Sequence, residues 1–251
     1  MCTDCGCSFT RSDKNHQTNL QSNPQLNDQQ TLSVIHKILD KNDSQANHNR
    51  THFQSHNISA YNLMSSPGSG KTSLLEHLVE YCDLNYAVIE GDLETSRDAD
   101  RLKAKGVEAY QIQTGSACHL DAFMVHDALH NIQLESADIC FVENVGNLVC
   151  PASYDLGAHK NIVLLSIPEG DDKVEKYPVM FRRADIVLIT KCDLLPYFDF
   201  DMSAAKSHIT RLNPTATILE VSIKQPESLH AVSKWLTNIH QQTIINPASQ
   251  S

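Results

Sequence analysis

The stretch Ser65-Ser66-Pro67-Gly68-Ser69-Gly70-Lys71-Thr72 decides how this chain is read. Before it lies an apolar run, Ala60-Tyr61-Asn62-Leu63-Met64, with the composition of a buried strand. After it, Ser73-Leu74-Leu75-Glu76-His77-Leu78-Val79-Glu80 spaces its leucines as a helix does. Strand, glycine-rich turn, Gly-Lys-Thr and helix in that order make a phosphate-binding loop. Gly68 and Gly70 let backbone N–H groups curl round an anion, and the positive end of the new helix points at the same spot. Pro67, Gly68, Ser69, Gly70, Lys71, Thr72 and Ser73 are therefore the candidate nucleotide contacts. In such a loop the lysine reaches the β- and γ-phosphates and the threonine hydroxyl binds Mg²⁺. The pattern usually opens with glycine, and here Ser65 stands in that place.

Outward from the loop, strand and helix alternate. Continuous apolar runs at 86–90, 107–112, 138–142, 162–167, 185–189 and 216–221 read as strands. The segments 95–105, 119–132 and 228–239 read as helices. Apolar strands separated by helices predict an α/β fold, a P-loop NTPase with a mostly parallel sheet covered by helices on both faces. In such sheets ligands bind at the carboxyl ends of the strands, and the remaining motifs fall there.

Asp92 closes one strand and Asp98 follows six residues later, both candidates to hold Mg²⁺ or position water. Glu143 ends another strand, with Gly146 three residues on. An acid there holds Mg²⁺ through water, and the glycine N–H touches the γ-phosphate. Lys71, Asp92, Asp98 and Glu143 are thus the candidate catalytic groups, and Thr72, Asp92 and Glu143 the candidate Mg²⁺ set. Thr190-Lys191-Cys192-Asp193 follows a further strand. Its carboxylate matches the two N–H donors on the edge of guanine, for which adenine has no equivalent pair. Asparagine is usual where Thr190 stands, which weakens one anchor. Ser222-Ile223-Lys224 lies where a loop packs on the base.

Eight cysteines accompany this frame. Cys2, Cys5 and Cys7, with Gly6 loosening the backbone and the terminal amine nearby, suit one soft ion: Ni²⁺, Zn²⁺ or Cu⁺. Cys118-His119, where a loop enters a helix, and Cys150, four residues past Gly146, form a second partial set for Zn²⁺ or Ni²⁺. Cys150 shares a short loop with the phosphate-sensing glycine, so hydrolysis is expected to move a metal ligand. Cys82, Cys140 and Cys192 read as small packed hydrophobes.

Residues 1–30 are expected to be a metal-binding N-terminus and flexible linker, rich in Asn, Gln and Ser. Residues 31–57 are expected to be a short helix marked by Leu32, Ile35, Ile38 and Leu39, then a polar connector carrying His48, His52 and His56. Residues 58–245 are expected to form the nucleotide domain and 246–251 a disordered tail. The net charge of −10 argues against nucleic acid and anionic lipid as partners. No run approaches the ~20 apolar residues of a membrane span. The start lacks a signal peptide's basic and apolar regions, so a cytoplasmic, reducing location is expected.

Taken together, these motifs resemble the HypB family of hydrogenase nickel-incorporation GTPases. The resemblance is carried by Cys2-x-x-Cys5-Gly6-Cys7, the phosphate loop, Gly91-Asp92-Leu93-Glu94-Thr95 and Cys118-His119-Leu120-Asp121. It extends through Glu143-Asn144-Val145-Gly146-Asn147-Leu148-Val149-Cys150-Pro151, Glu169-Gly170-Asp171-Asp172-Lys173, Lys176-Tyr177-Pro178 and Asp193-Leu194-Leu195-Pro196. It implies slow GTP hydrolysis and nickel transfer towards the hydrogenase large subunit with the accessory protein HypA. It also implies a GTP-favoured homodimer in which Lys176 approaches the guanine of the facing subunit. Cys2, Cys5 and Cys7 become the tighter nickel site, and Cys118, His119 and Cys150 the nickel/zinc site. Ser65 and the Glu143-x-x-Gly146 form are normal for this family, whereas Thr190 is not. The rival readings are a urease metallochaperone GTPase, disfavoured by the N-terminal cysteines, a metal store or sensor with weak NTPase activity, and a small-molecule kinase.

Overall fold

The structure, a computed structural model, describes residues 29–92, 97–115 and 117–245. Seven strands form one sheet: β1 (Ser59–Ser65), β2 (Tyr86–Asp92), β3 (Glu108–Gln113), β4 (Ile139–Glu143), β5 (Lys160–Ser166), β6 (Ile186–Thr190) and β7 (Thr217–Val221). Their order is β3-β2-β4-β1-β5-β6-β7, and every pairing among the described residues is parallel. The mostly parallel sheet predicted from sequence is thus parallel throughout. β1 lies in the middle and is wholly buried. The chain crosses to opposite sides of it before and after β4, so the loop after β1 sits at the switch in strand order where such sheets bind ligands.

Side chains alternate across the sheet with the two-residue period of a strand. Tyr61, Leu63, Val88 and Phe141 face one layer, built from α2 (Lys71–Leu78), α3 (Arg97–Ala104) and α8 (Pro226–Ile245). Ala60, Ile89, Cys140 and Val142 face α1 (Gln29–Ser55) and α4 (Ala122–Leu129). Beyond them, Met64, Val163 and Ile189 pack under α6 (Pro178–Arg182) and α7 (Met202–Leu212). A short α5 (Lys173–Lys176) precedes α6.

Two elements differ from the sequence reading. The short helix and polar connector expected over 31–57 are one 27-residue helix, α1. Its buried stripe is Asn42, Ala46, Asn49 and Phe53, which has helical spacing but a polar half. The asparagines satisfy backbone groups elsewhere. Asn49 Nδ2 donates to the carbonyls of Ala122 (2.8 Å) and Leu156 (3.1 Å). Asn42 donates to Asp155 O (2.8 Å) and accepts from Ala122 N (2.9 Å). Gly157, at φ 86°, lets the helix backbone approach, since an added Cβ would stand 2.4 Å from Ala46 O. The second difference is that α4 starts at Ala122 rather than at 119. Asp121 caps it, accepting from Met124 N (2.9 Å), which leaves Cys118-His119-Leu120 as loop.

Candidate nucleotide cleft and metal centre

The carboxyl ends of β1, β4, β6 and β7 surround a cleft of about 500 Å³ lined by residues 68–74 with Asp98, Glu143, Lys191, Asp193 and Lys224. Gly68 (φ 74°) and Gly70 (φ 99°) take left-handed conformations as the loop requires. Ser65, in the position where glycine is usual, has a use. Its Oγ accepts from Lys71 Nζ (3.1 Å) and from Ser69 Oγ (2.5 Å), tying the lysine to the loop it serves.

Thr72 and the predicted carboxylates meet on the cleft floor. Thr72 Oγ1 lies 3.1 Å from both Asp98 Oδ2 and Glu143 Oε1, and Lys71 Nζ is 4.0 Å from Glu143. Glu143 is buried, and burial pushes its pKa up to about 7 against the pull of Lys71 and Thr72. Glu90, which sequence reasoning passed over, is its register partner on β2 and is only 2 % exposed. Burial, then Glu143, Asp98 and Asp92, push Glu90 up to about 8, and its Oε2 has no hydrogen-bond partner in the structure. Two buried carboxylates side by side need either a proton or a cation between them. Each is the acid that ends an apolar run, and the strand register is what sets them side by side. Asp92 closes β2 beside them. Arg101 also lines the cleft, but its guanidinium is engaged by Glu76 (2.9 and 2.5 Å) and Asp98 (2.8 Å).

At the other end of the cleft, Asp193 accepts from Ser222 Oγ and from Lys224 Nζ, each at 2.8 Å. These contacts, Lys224 foremost, hold its carboxyl below the usual range and keep it an acceptor pair. Lys191 takes a left-handed conformation (φ 59°), costing a non-glycine residue about 1 kcal/mol. That geometry lays its stem over Gly70 and sends Nζ to Gly68 O (2.7 Å). Thr190 turns away from the base end and donates to Ser69 O (2.8 Å), locking β6 to the phosphate loop.

Cys118, His119 and Cys150 converge. The two sulfurs are 3.2 Å apart, Cys118 Sγ is 3.4 Å from His119 Nδ1, and all three ligand atoms lie within 4.8 Å of one another. Among the described residues this is the one His/Cys/Asp/Glu group of three or more so placed. Separations of about 3.3–3.8 Å are what one tetrahedral ion imposes on such atoms. Burial lowers the pKa of His119, against Asp121, favouring the neutral ring that binds metal. Tyr154 stacks on that ring at 4.1 Å.

Two asparagines fasten this trio to the cleft. Asn144 Oδ1 accepts from Leu120 N (3.1 Å) and Val145 N (3.0 Å), and Asn147 Nδ2 donates to Cys118 O (3.2 Å). Gly91 admits Leu120, which would be 2.8 Å from an added Cβ. Gly146 admits the phosphate loop, with Pro67 Cα 2.9 Å from an added Cβ. Asn144 and Asn147 stand inside the 143–151 motif, but nothing in their residue type signals this task, and Tyr154 carried no signal. Lys176 lies elsewhere: it pairs with Asp172 on an exposed face, while Lys173 and Tyr177 beside it line a groove with Pro67 and Gly146. Cys2, Cys5 and Cys7 lie outside the described residues.

Residues 59–220 match the model of the CobW/HypB/UreG nucleotide-binding domain. This chain belongs to the CobW/HypB/UreG family. Its HypB relatives include the hydrogenase/urease maturation factor HypB of Helicobacter pylori, 49 % identical over 224 residues, spanning 88 % of this chain and 92 % of that one. The hydrogenase maturation factor HypB of Escherichia coli K12 is 44 % identical over 215 residues, 85 % of this chain and 74 % of that protein. Among solved structures, HypB of H. pylori in complex with nickel superposes with a TM-score of 0.79 at 48 % identity, covering 81 % of this chain and 97 % of its own. HypB of Archaeoglobus fulgidus gives 0.75 at 35 %, covering 80 % and 100 %. The HypB resemblance read from the motifs is therefore shown. No described helix is long and apolar enough to cross a membrane.

Proposed function

We propose that this HypB-family chain is a GTP-hydrolysing nickel metallochaperone that serves [NiFe]-hydrogenase maturation. The observation that carries the reading is Cys150 Sγ 3.2 Å from Cys118 Sγ, on the segment that runs from Glu143 and Gly146 beside the phosphate loop. The name of the nickel-bound H. pylori relative supports nickel as cargo.

In this reading residues 67–73 hold the phosphates, Lys71 neutralises the charge that develops on them, and loop amides orient them. Gly146 N–H reads the γ-phosphate. Asp193 selects guanine, with Ser222 and Lys224 releasing its oxygens to the base, and Lys191 covers Gly70. Thr72, Asp92 and Glu143 are the residues that would hold Mg²⁺. The buried Glu90–Glu143 pair with its unpartnered oxygen fits a divalent cation there. Bound Mg²⁺ supplies charge neutralisation at the phosphates. Asp92, Asp98 and Glu143 position water. Arg101, the arginine that lines the cleft among the described residues, is clamped by Glu76 and Asp98, which fits a slow intrinsic turnover.

Nickel, or zinc in its place, binds at Cys118, His119 and Cys150, with Cys2, Cys5 and Cys7 as the tighter nickel site at the N-terminus. GTP favours a homodimer in which Lys176 reaches the facing subunit's guanine. HypA and the hydrogenase large subunit are the onward partners, and the compartment is the cytoplasm. The segment before α1 carries the N-terminal metal site, and α1 docks on the nucleotide domain and belongs to it. A second reading, nickel supply to urease as well, is favoured by the name of the H. pylori relative.

The test is nickel titration of the full chain with GDP and with a non-hydrolysable GTP analogue, following oligomer mass alongside. The reading expects nickel affinity at the inner site to differ between the two states, about tenfold for ~1.4 kcal/mol of coupling. Equal affinities in both states overturn it.

A further inference from the structure

Away from the cleft and the thiol trio, two histidine pairs with four-residue spacing lie at the carboxyl ends of two packed helices. His52 is in the last turn of α1 and His56 follows its final residue, while His126 is in the last turn of α4 and His130 is its C-cap. Phe53 shares a core cluster with Val125, Ala128 and Leu129, which brings those ends together. His126 Nε2 and His130 Nε2 stand 3.2 Å apart with their rings at 87°. Two nitrogens held by one tetrahedral ion at about 2.0–2.1 Å lie about 3.3 Å from each other. The pair therefore already has the bite of a chelate.

The second pair is set up in another way. His56 Nδ1 lies 2.9 Å from the carbonyl oxygen of His52 and 3.1 Å from Ser55 Oγ. A carbonyl only accepts, so Nδ1 carries the hydrogen and the lone pair stays on Nε2. A backbone carbonyl that holds the other ring nitrogen's hydrogen prepares an imidazole to bind metal in this way. The rings of His52 and His56 stack at 4.5 Å. Phe53, beside His52, shares its core cluster with Val125 and Leu129, the chain neighbours of His126 and His130. Both helices also direct their negative ends here, which favours a cation. No carboxylate shares in these contacts, so the donor set is all nitrogen.

We propose that His52, His56, His126 and His130 form an all-imidazole surface site for a borderline divalent ion of the Ni²⁺/Zn²⁺ class. His126 and His130 are the preformed chelating pair, and His52 and His56 complete the set by side-chain rotation. The site is separate from the thiol trio and does not depend on the proposed nucleotide chemistry. Its four nitrogens give it a different preference from a thiolate site, with less affinity for soft monovalent copper.

The experiment titrates the metal-free full chain with Ni²⁺ and, as a spectroscopic substitute, Co²⁺. It compares wild type with H126Q/H130Q and H52Q/H56Q, with thermal unfolding confirming that each variant folds. H126Q/H130Q is expected to lose about one metal equivalent while the thiolate-to-metal absorption of the remaining metal persists. H52Q/H56Q is expected to weaken the same equivalent by about tenfold or more. A full chain with Cys2, Cys5, Cys7, Cys118 and Cys150 changed to Ser is expected to keep one Co²⁺ with an imidazole-only spectrum; the H126Q/H130Q comparison stands alone if that chain does not fold. Equal stoichiometry and affinity in wild type and H126Q/H130Q overturn the proposal and leave two rings that merely share a proton. An unchanged affinity in H52Q/H56Q overturns the four-ligand assignment.

Discussion

Replacing Glu90 by Gln tests the idea that the cleft floor holds repulsion for a cation to relieve. Glu90 is 2 % exposed, faces Glu143 across the β2–β4 register, and has an unpartnered oxygen. Burial and its acidic neighbours raise its pKa from 4.5 to about 8. A raised folded value means that the native protein keeps a proton which the unfolded chain has already released. Stability contributed by that proton is complete below pH 4.5 and is lost as pH rises through about 8. The slope is ~1.4 kcal/mol per pH unit per proton, so about 2 kcal/mol disappears between pH 6.5 and 8. Gln keeps the shape and removes the titration. His52, His119, His159 and His240, whose pKa values are lowered by burial, carry the opposite slope. They cancel when the variant is subtracted from wild type. Glu143, itself raised to about 7 chiefly by burial, titrates in both proteins and drops out of the same subtraction. Urea unfolding of metal-free, nucleotide-free protein at the two pH values should show E90Q gaining about 2 kcal/mol on wild type. Parallel pH dependences for the two proteins would refute the reasoning.

Three further outcomes are expected. Asp193→Asn exchanges an ionised acceptor pair for an amide, so GTP binding should weaken about 10- to 100-fold while xanthosine triphosphate gains, as read by competition binding. Unchanged preference would remove Asp193 from guanine selection. Gly146→Ala puts a methyl 2.9 Å from Pro67 Cα, which is backbone, so stability should fall by about 1–3 kcal/mol and GTP turnover with it. Asn49→Ala leaves the Ala122 and Leu156 carbonyls without their donor. It should cost about 1–3 kcal/mol in chemical denaturation, and a cost near zero would contradict the account of α1.

The sheet was legible because buried parallel strands are continuous apolar runs, and β4 and β6 are almost nothing else. The lining of the candidate cleft was legible because a phosphate loop restricts residue types: Gly68, Gly70, Lys71, Thr72 and Asp193 are picked out by type and order, and all five line one cavity. α1 was not, because half of its buried stripe is asparagine. A pattern of apolar residues is blind to a helix that docks by satisfying carbonyls, as Asn42 and Asn49 do. Glu90 was missed for a related reason. Inside the run 86–90 it reads as the polar end of a strand, and only the register beside Glu143 reveals two acids in one place. The start of α4 was misjudged by three residues because the helical pattern runs through Cys118 and His119, whereas Asp121 caps it later.

That late cap bears on how metal and nucleotide would communicate. Had α4 begun at residue 119, His119 would be fixed to a helix, and movement of β4's loop would simply pull Cys150 away from it. Instead Cys118 and His119 lie on a loop that is itself held to the far side of the contact, by Asn144 at Leu120 and by Asn147 at Cys118. In the proposed coupling, a shift of Gly146 towards a γ-phosphate would carry Cys150 and also drag the anchors of Cys118, so the site would feel the difference between the two displacements. A site 3.2 Å wide at its sulfurs is sensitive to such differences, because metal–sulfur bonds near 2.3 Å tolerate only a few tenths of an ångström. The asparagines thus set the gain of the proposed coupling. Asn147→Ala, which frees the Cys118 carbonyl while leaving all three ligands in place, should alter the ratio of nickel affinities with GDP and with a GTP analogue more than either affinity taken alone. If both affinities fall together and their ratio stays fixed, Asn147 supports the loop and plays no part in the transmission.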